Sequence, residues 1–226
     1  MAVLALLLYL GARETPVFAV RTIDVEGVRP PAARRVEAAL RPLEGQSLLK
    51  VRGDEVARLA TALPTIASVS YDRAFPNTLR VRVVAEEPVA VVRRGAEAWL
   101  VSRRGRVIER IALGTHRALP RIWLRESVAM SIGGTLAPGA GAEEVTMLDA
   151  LRGARLAPRV RSVHDESGQW IYVLRDGFEV RVGTRFQLAL KLAIARRILD
   201  RTSVRGYLDV SVPNRPVAGP YSQLSG

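Results

Sequence analysis

The chain has 226 residues, of which 48% are hydrophobic and 25% are charged, so it can fold into one or two domains with cores of their own. It contains no cysteine, which excludes disulfide bonds, thiolate nucleophiles and cysteine-based metal sites, and its two histidines are His116 and His164. The net charge of +12 favours anionic partners such as nucleic acid, anionic lipid or wall polymers. The arginines are spread along the whole chain, however, so a solvated basic surface is the simpler interpretation.

Residues 1–12 are predicted to form a partial transmembrane anchor. Residues 1–10 carry no charge, but a bilayer span needs about 20 apolar residues, roughly twice this length. The segment also lacks the basic start and the cleavage site of a signal peptide. We expect it to be the outer half of an anchor, and a short buried N-terminal strand or helix is the alternative.

Residues 17–87 are predicted to form one small interaction module. Apolar residues alternate with polar ones where a half-buried strand is expected, as at Ile23 and Val25. They recur at helical spacing where a helix is expected, as at Val56 and Leu59. The predicted order is strand, helix, helix, strand, strand, at residues 21–27, 32–41, 54–63, 67–72 and 79–83.

Residues 88–213 are predicted to form a second, mainly β domain, which begins after the charged residues Glu86 and Glu87. These two carboxylates are interpreted as hinge or edge-strand charges. Two longer apolar repeats predict helices at residues 143–156 and 186–199. Strands are predicted at residues 89–92, 99–102, 106–109, 119–124, 160–164, 170–174, 178–182 and 207–212.

The helix at residues 186–199 has the clearest amphipathic pattern in the chain. Phe186, Leu190 and Ile194 are predicted to face the core, whereas Lys191 is predicted to face solvent.

The last predicted strand is followed by a segment rich in proline. Leu208, Val210 and Val212 are predicted to lie on one face of that strand. Residues 214–226 are predicted to be a flexible tail without regular structure.

No set of residues that could carry catalysis is predicted. The Gly-rich segment at residues 133–141 precedes a helix, but no Gly-Lys-Ser/Thr follows it, and Glu143 and Glu144 would repel a phosphate. His164 and Asp165 lie where a strand leads into a polar turn, and we expect them to be solvated surface residues. The sequence therefore predicts no catalytic residue, no cofactor and no metal site, in a protein that is not an enzyme.

Residues 18–91 resemble the polypeptide-transport-associated (POTRA) domain, in the form that occurs in the bacterial division proteins FtsQ and DivIB. Later segments of the chain resemble the same family, so the similarity covers nearly all of the chain after the predicted anchor. The motifs are short, and their order and spacing are what make the resemblance specific. They lie at residues 18–27, 63–64, 75–79, 81–83, 86–90, 99–105 and 209–213.

The resemblance implies an α+β fold, with a membrane-proximal POTRA domain at residues 17–87 and an FtsQ-type, mixed but mainly antiparallel β domain with two helices at residues 88–213. It implies a single-pass protein of the inner (plasma) membrane at the division septum, with the bulk of the chain extracytoplasmic. Such a protein is a non-enzymatic scaffold. It recruits FtsB-like and FtsL-like partners and links early to late division proteins in septal wall synthesis.

The resemblance also implies a partner-binding strand at the end of the β domain, to which a partner adds a strand of its own. Because Pro213 and Pro216 cannot donate ladder hydrogen bonds, an added strand is expected to end near Val212 or to be held by side chains. The implied partner-binding residues are Tyr207, Leu208, Asp209, Val210, Ser211, Val212, Pro213, Asn214 and Arg215.

Two other functions are alternatives to this one. A POTRA-containing export or outer-membrane assembly factor is expected to carry repeated modules or a long barrel, and neither pattern is found in the sequence. A basic nucleic-acid-binding protein is the third possibility, but no run of basic residues is interleaved with aromatic residues, as a stacking platform for single strands would need. Neither nucleic acid nor a small-molecule substrate is therefore an expected partner.

Overall fold

The computed structural model describes residues 16–201 and 206–220, and the chain divides into two compact units, Met1–Glu86 and Glu87–Gly226. The predicted anchor at residues 1–12 lies outside the described residues, as does the end of the predicted tail at residues 221–226. None of the helices in the described part combines the length and the apolar character that a bilayer crossing requires.

The first unit has the predicted order of elements. They are β1 (Thr22–Glu26), α1 (Pro30–Leu40), α2 (Gly53–Thr61), β2 (Ile66–Ala74) and β3 (Thr78–Ala85). The central strand β3 pairs in parallel with β1 and antiparallel with β2. The apolar faces of both helices meet the sheet in one core, whose largest fully buried side chains are Leu40, Leu43, Leu48, Ile66 and Leu79.

Arg73, on β2, fastens the connection between the two helices to this sheet. Its Nε donates a hydrogen bond to the carbonyl of Leu48 at 2.7 Å, and its Nη2 donates one to the carbonyl of Val51 at 2.8 Å. The connection begins with a short 3-10 helix, Arg41–Leu43, and further along it the carbonyls of Leu48 and Val51 are satisfied by this guanidinium, which has several donors.

The second unit is built on one nine-stranded sheet with the order β12-β11-β10-β9-β8-β7-β4-β5-β6. Five of the eight neighbouring pairs are antiparallel, and β4–β7, β7–β8 and β10–β11 are parallel. The strands are β4 (Pro88–Arg94), β5 (Glu97–Ser102), β6 (Val107–Ile111), β7 (Arg121–Trp123), β8 (Val160–Glu166), β9 (Gln169–Leu174), β10 (Glu179–Gly183), β11 (Tyr207–Asp209) and β12 (Val217–Gly219).

Two helices, α3 (Ala142–Gly153) and α4 (Leu188–Leu199), cover one face of this sheet. The main core lies between them and the strands, and Tyr172 crosses it to donate a hydrogen bond from its hydroxyl to the carbonyl of Met147 at 2.8 Å. The opposite face, called the outer face below, carries a smaller apolar cluster formed by Val91, Ala98, Leu100 and Ile108. The predicted α+β class, with a mixed sheet and two helices in the second domain, is confirmed.

The predicted register of α4 is confirmed at Ile194, which packs against the main core, but it is wrong at Phe186, Leu190 and Lys191. Lys191 is buried, with 3% of its surface exposed, whereas Phe186 is 74% exposed and Leu190 is 48% exposed. The helix begins at Leu188, after Gln187 in a left-handed conformation, so Phe186 does not belong to the helical repeat. The helix itself is apolar on most of its circumference, so its sequence could not define which side faces the sheet.

The end of the chain also differs from the prediction. The strand predicted at residues 207–212 stops at Asp209, and Val212 is 56% exposed although Leu208 and Val210 are buried. Residues 217–219, predicted to lie in a flexible tail, instead form β12, which pairs antiparallel with β11. Pro216 and Pro220 flank β12 rather than interrupt it, so they remove no donor from its pairing with β11.

Candidate partner-binding edge

The hydrogen bonds around β11 fix the direction of its backbone groups. The carbonyl of Gly206 accepts a bond from the N–H of Glu179 at 3.1 Å, and the N–H of Val210 donates one to the carbonyl of Arg181 at 2.8 Å. The backbone groups of Gly206 and Val210 therefore point towards β10. Because the backbone groups of successive residues point to alternate sides of a strand, Tyr207 and Asp209 must point the other way.

On that other side lies β12, the terminal strand of the sheet. Tyr207 is paired with Gly219 and Asp209 with Val217, so these four residues form the hydrogen-bonded pairs of the β11–β12 ladder. Ala218, between them, must then direct its N–H and its C=O away from β11. Within the described residues no strand pairs with this outer side of β12.

The two prolines shorten the open edge that β12 presents. Pro216 and Pro220 are two positions before and after Ala218, so in extended backbone they share its direction. They keep a carbonyl acceptor but have no N–H. The edge therefore offers both a donor and an acceptor at Ala218, and only acceptors on either side.

Side chains on the outer face hold β11 and β10 together. The guanidinium of Arg181 lies 4.3 Å from the ring centroid of Tyr207, and its Nη2 is 2.9 Å from the Glu179 carboxylate. Asp209 accepts a hydrogen bond from the N–H of Ser211 at 2.8 Å, which turns the chain sharply after β11. These contacts stabilise the strand on which β12 rests.

Lys191 supports the same region from the helical side. Its Nζ donates hydrogen bonds to the carbonyls of Val182 at 2.8 Å and Thr184 at 3.0 Å, where β10 ends. Burial lowers the pKa of the Lys191 ammonium, and the Asp209 carboxylate opposes that shift. The lysine thus joins α4 to the end of β10, next to β11.

Exposed apolar side chains accumulate on the elements at this end of the sheet. Phe186 precedes α4 and Leu190 lies in its first turn, whereas Val212 and Val217 flank the turn between β11 and β12. Each is at least 48% exposed. A partner strand added to β12 could therefore be held by apolar contacts in addition to backbone hydrogen bonds.

The nine predicted partner-binding residues, 207–215, do not form one exposed strand. Leu208 and Val210 are buried in the core, so they serve the fold. Val212, Asn214 and Arg215 are exposed and lie in the turn that leads to β12. The edge of β11 that was expected to accept a partner strand is already paired with β12, because the chain folds back on itself after Pro213.

His164 and the Gly-rich segment each contact a carboxylate of the chain itself. No grouping of three potential metal-ligating side chains occurs in the described residues. His164 is 3.2 Å from the Glu166 carboxylate at the surface. The N–H of Gly139, in the Gly-rich segment, donates to the Glu143 carboxylate at 3.0 Å, so a carboxylate of the chain itself occupies the place considered for a phosphate.

Comparison with known families decides the assignment of both units. The model described as POTRA domain, FtsQ-type, matches residues 18–84, and the model described as cell division protein FtsQ/DivIB, C-terminal, matches residues 90–211. The second match alone covers more than half of the 226 residues. The chain belongs to the FtsQ/DivIB family of cell division proteins. The family resemblance predicted from the motifs is confirmed.

Three curated relatives of this FtsQ/DivIB chain are each named cell division protein FtsQ. That of Anaeromyxobacter sp. (strain K) is 30% identical over 83% of this chain and 64% of its own length. That of Mycolicibacterium smegmatis is 32% identical over 39% of this chain and 25% of its own length. That of Corynebacterium glutamicum is 26% identical over 47% and 48%, respectively. The chain thus spans less than two thirds of the length of these relatives.

Proposed function

We propose that the chain is a non-enzymatic scaffold of the bacterial division machinery, and that it recruits FtsB-like and FtsL-like partners by strand addition at the outer edge of β12. The observation that carries the proposal is the outward direction of the Ala218 backbone on the terminal strand of the sheet. An open strand edge is a template for another chain, and family membership supports a partner from the division machinery.

The proposed edge supports a short added strand. Ala218 can exchange two hydrogen bonds with one partner residue, and the carbonyls of Pro216 and Pro220 can each accept one more, which makes about four in all. Each contributes about 0.5–1.5 kcal/mol net, too little on its own for tight binding. We therefore assign the remaining affinity to the exposed side chains of Phe186 and Val212.

The proposed location is the plasma membrane at the division septum, with both described units outside the cytoplasm. The uncharged residues 1–10 support an anchor that precedes the described part of the first unit. In this arrangement the first unit lies near the membrane, and the second presents its edge to other membrane-anchored division proteins. The scaffold links early division proteins to the late proteins that synthesise septal wall.

The test uses Ala218→Pro and a synthetic FtsB-like peptide from the same organism. Proline at this position removes the outward N–H and places its ring on the edge, but leaves the bonds from Val217 and Gly219 to β11 in place. The loss of one hydrogen bond corresponds to about 2- to 13-fold weaker binding, measured by isothermal titration calorimetry. The steric effect of the ring adds to this loss.

Two further variants separate binding from folding. Ala218→Ser keeps the N–H and is expected to bind the peptide as the wild type does. Val217→Pro removes an N–H that faces β11, so it is expected to lower the free energy of unfolding of the second unit as well as binding. Unchanged affinity in Ala218→Pro would show that partners do not add a strand to β12, whatever other surface they use.

A further inference from the structure

Four arginine side chains surround an open cleft on the outer face of the second unit, away from the β12 edge. The cleft has a volume of about 670 Å³ and crosses β7, β8 and β9. We call it the arginine groove and define it by Arg117, Arg121, Trp123, Arg161, His164 and Arg175. The register places Arg121 directly beside Ser162, and Ser162 opposite Val173, so these strands form its floor.

The charges of the arginine groove are not balanced within the described residues. None of its four arginines lies within 4 Å of a carboxylate there. Seven arginines elsewhere in the unit do lie within 4 Å of a carboxylate, for example Arg181 with Glu179 at 2.9 Å and Arg159 with Asp200 at 2.7 Å. The groove is distinguished by four arginines that line one cleft and have no such partner in the described residues.

A fifth arginine extends this positive field. Arg93 is paired in register with Trp123, and its Nε is buried without a hydrogen-bond partner in the described part of the chain. Burial lowers the pKa of Arg121, and the neighbouring cations Arg175, Arg93 and Arg117 lower it further. Like charges held this close repel one another, and a bound anion would relieve that repulsion.

Arg175 keeps the groove in shape through its backbone contacts. Its guanidinium donates to the carbonyls of Pro158, Arg117 and Ala118 at 2.7, 2.8 and 2.7 Å. It therefore fastens the loop that carries Arg117 to the segment that precedes β8. By contrast, Arg161 makes no such contact in the described residues and projects from an exposed position, free to meet a ligand.

Trp123 gives the groove an apolar element. It is 58% exposed, whereas the other two tryptophans, Trp99 and Trp170, are buried. Tryptophan and arginine are both enriched among the residues that contribute most to protein–protein binding energy. Guanidinium groups bind carboxylates in a bidentate manner, and an indole binds apolar side chains.

We propose that the arginine groove binds a short acidic peptide segment of a partner protein, with carboxylates on Arg121 and Arg161 and an apolar side chain on Trp123. The extent of the charge favours a short segment over a long polyanion. Glu166, paired with His164, and Glu179, paired with Arg181, border the groove on the outer face, so the basic surface does not continue along the sheet. The site is separate from the β12 edge and does not depend on it.

The test measures binding of the peptide Glu-Glu-Leu-Glu-Glu, labelled with fluorescein, to the full chain by fluorescence anisotropy at low ionic strength. Saturable binding is expected, and the double variant Arg121→Gln/Arg161→Gln is expected to weaken it about tenfold or more. The control Arg34→Gln/Arg35→Gln removes two exposed arginines of α1, so it changes the net charge equally, and is expected to bind like the wild type.

Further measurements distinguish peptide binding in the groove from a folding defect and from a general charge effect. Trp123→Ala is expected to weaken binding even if the double variant does not fold, and Ala218→Pro is expected to leave it unchanged. Bound peptide is also expected to protect Trp123 from acrylamide quenching. Equal losses in the groove and control variants would reduce the effect to net charge and overturn the proposal. Groove-dependent binding to phosphatidylglycerol vesicles without binding to the peptide would overturn it in favour of a membrane surface.

Discussion

Replacing Lys191 by methionine tests how the terminal part of the sheet is supported. The ammonium is buried beneath α4 and donates two hydrogen bonds to carbonyls at the end of β10. Methionine has a side chain of similar length and keeps the apolar contacts of the lysine stem, but it cannot donate a hydrogen bond. The substitution therefore removes the polar contacts with little change in packing.

The expected loss follows from those two hydrogen bonds. A hydrogen bond that involves a charged group contributes about 1.5–3 kcal/mol, so two of them amount to about 3–6 kcal/mol. Methionine avoids the cost of burying an ammonium, which returns part of this free energy. We expect Lys191→Met to lower the free energy of unfolding of the second unit by about 2–4 kcal/mol, a large part of the stability of a typical domain.

Tryptophan fluorescence during urea denaturation isolates this unit. All three tryptophans, Trp99, Trp123 and Trp170, lie in the second unit, so their signal reports its unfolding alone. The control is Arg197→Met, which removes an exposed charge from the same helix and is expected to change stability by less than about 0.5 kcal/mol. If Lys191→Met unfolded at the same urea concentration as the control, the two carbonyls would not need the ammonium.

The difference in stability between the wild type and Lys191→Met is expected to depend on pH. Burial lowers the pKa of Lys191 in the folded chain below its ordinary value of 10.5. Between the two values the unfolded chain binds more protons, so the free energy of unfolding contributed by this group rises with pH. The stability difference between wild type and Lys191→Met is thus expected to grow as the pH approaches 10.5, and a shrinking difference would contradict burial as the cause.

Three further substitutions test the packing of α3. Burial raises the pKa of Glu144, and repulsion from Glu143 and Asp165 adds to it although a backbone hydrogen bond opposes the shift. A raised pKa means that the ionised Glu144 destabilises the folded unit at a pH above that pKa. Glu144→Gln removes this cost, so it is expected to stabilise the second unit at pH 7. The gain is expected to vanish below the pKa of a glutamate in the unfolded chain, where the carboxyl is neutral in both states. The Glu143 carboxylate accepts a backbone hydrogen bond, so Glu143→Gln is expected not to stabilise the second unit. Equal gains in stability in both variants would contradict the argument. Tyr172→Phe removes the hydrogen bond to the Met147 carbonyl, which keeps its helical partner, so a loss of about 0.5–1.5 kcal/mol is expected in urea denaturation, and no loss would show that this bond contributes nothing.

The first unit could be predicted from the sequence because each of its segments has one clear period. Val56 and Ala60 are four residues apart and both are buried, while Val81 and Val83 alternate with more exposed residues in β3. Local periodicity and proline positions therefore agree with the tertiary packing.

The register of α4 could not be predicted in the same way. Leucine and isoleucine occupy several sides of this helix, so no single apolar stripe exists. What decides the register is a contact with a distant strand, in which Lys191 satisfies the carbonyls of Val182 and Thr184. Sequence patterns assign lysine to the surface, and only the fold shows that two backbone carbonyls in the interior accept its hydrogen bonds.

The two candidate sites could not be predicted from the sequence, for different reasons. β12 was missed because it has only three residues and stands between Pro216 and Pro220, a composition typical of irregular tails. The arginine groove was missed because the net charge does not say which arginines have carboxylate partners. Its members are spread from Arg117 to Arg175 and come together only when β7, β8 and β9 align.

The prolines on either side of β12 bear on how a cell keeps many copies of this protein apart. Open sheet edges tend to pair with one another and cause aggregation, and an edge with several free N–H donors would pair with many different strands. Here a second copy aligned edge to edge would find one outward donor, at Ala218, between two residues that have none. We therefore expect weak self-association along this edge, whereas the partner proposed above would gain affinity from side-chain contacts beside it.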